Sequence, residues 1–282
     1  MNIAVTGSSG FVGKKLVAKL KQQGHQVIEI DIATGCDITL WKSLSDLKDF
    51  QVLIHLAART FVPESYRIPR DFYYDNFIGT LNALELCRLN NAKMILASSY
   101  VYGKPEYLPI DERHPIRAHN PYAQSKIISE QLCDRFHIDF QVPVVVLRPF
   151  NIYGPGQNEN FLIPSIIKQA KTGKIVLKDP SPKRDFVFID DAVDAYLKAA
   201  AYSSDVTEYF NVASGTSYSV EEVAGMVKEI GFPEAEISFR KEIRRDEIED
   251  TRANIELIRL KMNWTPVHSF SEGIRKCLDE GK

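Results

Sequence analysis

Five short apolar runs alternate with longer stretches whose apolar residues recur at helical spacing, and this rhythm constrains the fold more than any other feature. The runs are NIAVTG (2–7), HQVIEID (25–31), QVLIHLA (51–57), KMILASS (93–99) and PVVVLRP (143–149). They are rich in β-branched residues and apolar on both faces, as strands buried within a parallel sheet must be. Parallel neighbours need crossover connections, and residues 11–23, 71–90 and 121–138 supply amphipathic helices for them. The pattern predicts an α/β fold with a doubly wound parallel sheet and right-handed crossovers over residues 1–153. From Gly154 the rhythm loosens. GPGQNENF (154–161) and KDPSPKRDF (178–186) read as loops, with a helix around 161–172 between them. EYFNVAS, SVEEVAGMVKEI, EISF and a last helix near 270–280 follow. Residues 154–282 thus read as a smaller C-terminal α+β cap over the strand ends, with some segments returning to the first domain. There is no clean linker, internal repeat or low-complexity segment.

The bulk properties exclude several classes. With 282 residues, 44% hydrophobic and 26% charged, the chain can build a full globular core. A net charge of −2 gives no electrostatic basis for nucleic acid or an anionic membrane as partner. No apolar run approaches the roughly 18 residues of a spanning helix. The N-terminus MNIAVTG enters a strand directly, without a basic segment or cleavage site, so a cytoplasmic location is expected. Cys36, Cys87, Cys133 and Cys277 show no C-x-x-C spacing; reduced thiols and no metal are expected.

Strand NIAVT runs into Gly7-Ser-Ser-Gly10-Phe11-Val12-Gly13 and then into KKLVAKLKQQG. A glycine-rich turn between strand and helix is the context in which this spacing binds a dinucleotide. Gly7 permits the tight turn, Gly10 admits backbone close to a pyrophosphate, and Gly13 packs helix on strand. The helix start, with Phe11 and Val12, presents free N–H groups to phosphate. A purely structural turn is the alternative. Asp31 ends the second strand 18 residues beyond Gly13, where a carboxylate accepts from the adenosine ribose hydroxyls and repels a 2′-phosphate. This favours NAD over NADP; a turn acid without a ligand is the other reading.

Two segments match Tyr-x-x-x-Lys. Gly103 and Pro105 break up Tyr100/Lys104. In NPYAQSK, Asn120 suits an N-cap and Pro121 a first helical position, so Tyr122 and Lys126 stack on one helix face. The helix start falls at the carboxyl edge of the sheet, where ligands of open α/β sheets bind. A free phenol, pKa about 10, is a weak base at neutral pH. An ammonium neighbour and an oxidised nicotinamide would stabilise the phenolate for proton transfer at an alcohol or ketone. Ser98 ends a strand at the same edge and can hydrogen-bond the reacting oxygen. Alone, the Tyr–Lys pair would read as a surface pair.

In this order, these residues resemble the extended short-chain dehydrogenase/reductase family, in particular its nucleotide-sugar epimerases and dehydratases. The likeness spans nearly the whole chain, continuing through SSYVYG (98–103), LRPFNIYGPG (147–156), RDFVFIDD (184–191) and FNVASG (210–215). It implies a Rossmann-like first domain with NAD as cofactor. Asp37 and Ile38 would meet adenine, while Leu56, Ala57 and Ala58, after His55, would line the cofactor. Asn76 would be a cofactor-side helix residue, although a buried polar helix position explains it as well. His55 reads as a packed strand-end residue. Tyr122, Lys126 and Ser98 would be catalytic. Ser98, Ser99, Tyr122, Asn151, Arg184 and Arg244 would meet a nucleotide-diphosphate sugar, the two arginines clamping its diphosphate. Arg244 lies in the charge-dense KEIRRDEIEDTR, where a solvated face is the plain alternative. The resemblance also implies a homodimer through the helices near 71–90 and 121–138.

The related 4,6-dehydratases carry an Asp-Glu pair after the residue matching Ser98, and this chain has Ser99-Tyr100. Water elimination is therefore disfavoured. A 4-epimerase and a 4-ketoreductase of a 4-keto-6-deoxy sugar remain. Asp31 leans toward NAD and the epimerase; the short chain and compact cap weaken that lean, and the epimerase stays preferred over the ketoreductase. A non-enzymatic redox sensor of this fold would have an eroded Tyr/Lys/Ser set, which is intact here.

Overall fold

Alternate residues of each central strand face opposite layers, and both layers are apolar. β1 (Asn2–Thr6) sends Ile3 and Val5 to one side and Ala4 to the other. The first side is covered by α1 (Phe11–Gln22), which follows β1 directly and buries Leu16, Val17 and Leu20. β2 (Gln26–Ile30), β3 (Val52–His55), the short α2 (Val62–Ser65) and α3 (Pro69–Asn90) come next. β4 (Lys93–Ala97), α4 (Pro121–Phe140) and β5 (Val144–Pro149) complete the first half. Ala83, Leu84 and Cys87 of α3 and Cys133 and Phe136 of α4 cover the second side. The structure, a computed structural model, describes residues 1–240, 242 and 247–279.

β6 (Asn151–Tyr153), α5 (Leu162–Ala170), β7 (Lys174–Leu177) and β8 (Lys183–Phe188) begin the second half. α6 (Ile189–Ala201), β9 (Glu208–Val212), β10 (Ser217–Ser219) and α7 (Val220–Gly231) follow. β11 (Glu236–Phe239), β12 (Asp250–Thr251), α8 (Glu256–Met262) and α9 (Phe270–Asp279) end it. The main sheet is parallel throughout, in the order β2-β1-β3-β4-β5-β9. This is a Rossmann-like doubly wound sheet. Its outermost strand, β9, comes from the second half, and α6 packs against α1 on the first layer. The chain therefore leaves the main sheet after β5, returns to it with α6 and β9, and leaves it again for β10. A periodicity argument cannot assign EYFNV to this sheet, because a short apolar strand carries no label for its partner. The cap proper consists of two small sheets: β8 pairs with β6, β10 and β12, and β7 with β11.

Among the described residues, no helix is long and apolar enough to cross a membrane. His55 is fully packed at its strand end, its ring bridging Thr6 Oγ1 (2.7 Å) and Thr80 Oγ1 (3.3 Å). Burial lowers its pKa to about 3, so it is neutral.

Candidate active site

The residues directly after β1 to β5, namely Gly7, Asp31, Leu56, Ser98 and Phe150, all line one cleft of about 1570 Å³. It lies at the carboxyl edge of the sheet, with the cap forming its other wall. A drug-sized ligand pocket is about 300–1,000 Å³. The cleft is larger and has room for two elongated ligands.

At one end, Gly7 adopts φ +68, and a Cβ there would stand 2.8 Å from Ala57 N. At Gly13 a Cβ would stand 2.0 Å from Gly7 O, which only glycine permits. At Gly10, which lines the cleft, a Cβ would stand 3.2 Å from Gly7 O. Gly10 caps α1 without any side-chain hydrogen bond, and the first turn holds no acid. The first N–H groups of the helix, with Phe11 and Val12 on the cleft wall, are thus available to an anion. These features fit a dinucleotide pyrophosphate. Asp31 is held in place by two backbone donors, Ser9 N (3.0 Å) and Ala33 N (2.9 Å). Asp37 accepts from Thr39 N and Oγ1, both at 2.8 Å, and lines the same end with Ile38, Ala57 and Ala58.

Asn76 does not line the cleft. It is buried behind it, accepting from Arg59 N (2.8 Å) and donating to Arg59 O (3.2 Å) and Ser125 Oγ (2.8 Å). Its amide fixes the loop after β3 against α4.

At the centre, the Asn120 side chain accepts from Ala123 N at 2.7 Å and caps α4, with Pro121 at the first helical position. This start aims Tyr122 and Lys126 at the cleft, beside Ser98 and Ser99. Burial raises the Tyr122 pKa, and a hydrogen bond with Ser99 opposes the rise. Lys126 is buried, donates to Ala97 O at 2.8 Å, and has its pKa lowered to about 8, chiefly by desolvation, with the Glu130 carboxylate opposing. Ser98 Oγ donates to Glu130 Oε1 at 2.5 Å. Tyr100 also faces the cleft, but its hydroxyl donates to Gly103 O and its ring packs on Tyr102, His119 and Phe150. Neither residue 99 nor 100 brings a carboxylic acid to the centre.

On the cap side, Asn151 lines the cleft and donates to Asp185 O at 2.9 Å. Arg184 lines it too, donating to Lys183 O (2.8 Å) and Ile248 O (2.7 Å) and pairing with Glu247. Arg244 lies outside the described residues.

The family model of the NAD dependent epimerase/dehydratase family matches residues 3–213. The chain belongs to the NAD-dependent epimerase/dehydratase family. Among members of that family, a GDP-6-deoxy-D-mannose reductase of Pseudomonas aeruginosa is 31% identical over 98% of this chain and 95% of its own. A putative UDP-glucose 4-epimerase of Methanocaldococcus jannaschii is also 31% identical, over 98% of this chain and 97% of its own. A solved UDP-glucose 4-epimerase of Thermotoga maritima, bound to UDP-glucose, superposes with a TM-score of 0.93 at 26% identity, covering 100% and 98%.

Four cleft-side features escape a motif reading within this family: Glu130, His119, Glu247 and Tyr196. Only Glu130 has a usable signal, its position four residues after Lys126 on the same helix face.

Proposed function

We propose that the protein is an NAD-dependent nucleotide-sugar 4-epimerase acting by transient oxidation at C4. The observation that carries this reading is the meeting of Tyr122, Lys126 and Ser98 in one cleft with the uncapped glycine turn and the cap residues Asn151 and Arg184. NAD, when bound, supplies the acceptor and donor of the C4 hydride. Gly7, Gly10, Phe11, Val12 and Gly13 would hold its pyrophosphate, Asp31 its ribose, and Asp37, Ile38, Leu56, Ala57 and Ala58 the walls around it. Tyr122 takes the C4 hydroxyl proton and later returns it. Lys126 holds the phenolate by its charge, and Ser98, with Ser99 beside Tyr122, contacts the sugar next to the reacting carbon. Arg184 and Asn151 retain the diphosphate side of the substrate while the sugar presents its other face. Arg244 is assigned to the same diphosphate.

The reductase relative supports a second reading, in which Tyr122 gives a proton to a 4-keto-6-deoxy sugar in one direction only. Incubation with a panel of nucleotide hexoses and 4-keto-6-deoxy sugars, with and without NADH or NADPH, separates the two. Interconversion of C4 epimers without added reductant is expected; stoichiometric consumption of reduced cofactor would replace the epimerase by the reductase. The reading includes a cytoplasmic homodimer. Tyr74 and Leu89 of α3 and Ile138 and Phe140 of α4 are exposed on the helix pair that would form its interface.

Lys126 provides a pH test. Its pKa of about 8 means that the phenolate loses its counter-charge above that pH, so kcat should fall on the alkaline side from about pH 8 upward. For stability the sign is opposite. The unfolded chain keeps this lysine protonated up to its ordinary 10.5, so between about 8 and 10.5 it binds the extra proton and stability rises with pH. Keeping the buried charge at neutral pH costs the fold about 3 kcal/mol. Lys126→Met should therefore lower kcat about 10²-fold while raising Tm, measured by steady-state kinetics and thermal denaturation at pH 7.

A further inference from the structure

We propose that Glu130 is a positioning residue for this reaction, its carboxylate fixing the rotamer and the hydroxyl direction of Ser98. The proposal rests on the reading of Ser98 as a substrate contact. Tyr122, Lys126 and Glu130 follow one another at spacings of four along α4, so they share one face of the helix. The first two reach the cleft, and Glu130 lies beneath it, 3% exposed. Its Oε1 accepts from Ser98 Oγ at 2.5 Å and from Arg148 Nε at 2.9 Å, and its Oε2 accepts from Arg148 Nη2 at 2.7 Å. The carboxylate is thus held by a two-pronged guanidinium. Arg148, 2% exposed, is itself held between the rings of Tyr102 and Tyr209, with centroids 5.2 and 4.5 Å away. It also donates to Tyr102 Oη at 3.1 Å, and that hydroxyl donates to Asn211 Oδ1 at 2.6 Å.

Stability does not account for such a pair. Removing two charges from water costs about as much as their attraction returns, and apolar residues of similar size commonly serve as well or better. What the pair supplies is a rigid acceptor directly behind a catalytic hydroxyl. A serine has three staggered rotamers. With its hydrogen on Glu130, Ser98 keeps one of them, and the lone pairs of its oxygen are left to accept from a hydroxyl of the bound sugar. The carboxylate also opposes proton loss from Lys126, one turn away on the helix. No proton needs to pass to Glu130; it acts through the two groups it holds.

Paired double variants test this, because a single change would strand a buried charge. Glu130→Met with Arg148→Met removes both charges and the acceptor. Glu130→Gln with Arg148→Gln removes the charges but leaves an amide oxygen able to accept from Ser98. Both should fold, as thermal denaturation will read. The Met pair is expected to lose about tenfold or more in kcat with KM within about threefold, and the Gln pair to recover most of that loss. Equal kcat in the two double variants, at any level, overturns the proposal. If neither variant folds, wild-type crystals soaked with NAD and UDP-glucose decide. Ser98 Oγ still on Glu130 with the ligand in place supports the proposal, and Ser98 Oγ turned away from Glu130 overturns it. Failure of the functional reading shows separately, as absence of wild-type turnover across the nucleotide-sugar panel.

Discussion

Tyr122→Phe should retain the fold and the bound dinucleotide yet lose about 10³-fold in kcat, because the proposed mechanism passes the C4 proton through the hydroxyl it deletes. The ring packs edge-to-face on Phe72, with centroids 6.4 Å apart, and phenylalanine keeps that contact. Tm should stay within a few degrees of wild type. Dinucleotide released on acid denaturation should be unchanged in amount, since the pyrophosphate cradle lies on another element. A variant that converts a nucleotide sugar as fast as wild type would remove Tyr122 from the chemistry.

Gly13→Ala should have the largest effect on cofactor retention. The added methyl would stand 2.0 Å from Gly7 O and 2.9 Å from Gly7 C, both backbone atoms of the turn itself. Neither can swing away like the tip of a side chain, so the turn or the start of α1 has to move. Overpacking of this kind costs about 1–3 kcal/mol, occasionally more. Here the displaced atoms are also those that present N–H groups to the pyrophosphate. We expect a lower Tm and at least about a hundredfold weaker NAD binding by calorimetry. Gly225→Ala in α7 offers the control, because nothing lies within 4 Å of a Cβ there. Wild-type affinity in Gly13→Ala would show that the turn does not hold the cofactor.

The sequence made the first half of the fold legible because its signals are local. Each buried strand is a continuous apolar run, and each glycine of the turn answers a steric need set within a few residues. NPYAQSK is equally local: an N-cap, a proline and a spacing of four are enough to put Tyr122 and Lys126 on one face. Long-range partners were not legible. Glu130 sits in an ordinary polar helix sequence, and only the fold brings Ser98 and Arg148 to it from β4 and β5. Asn76 shows the reverse. A polar residue in a buried helix was visible, but its direction depends on how α3 packs, and it holds backbone of the loop after β3. Arg184 reads as an open phosphate clamp in sequence, whereas in the structure it is paired with Glu247 and two carbonyl oxygens. A ligand phosphate must exchange with that carboxylate, a competition between segments more than 60 residues apart.

The placement of β9 has a consequence for how the chain assembles as it leaves the ribosome. β5 is finished at Pro149, yet its outer edge stays unpaired until Glu208–Val212 have been synthesised and the intervening cap segments have been threaded past it. An open edge of buried-type residues is a template for association with other chains. A shortened product ending at the start of the cap lacks β9 and leaves the outer edge of β5 unpaired. The first half of the chain and the cap are a single unit of synthesis.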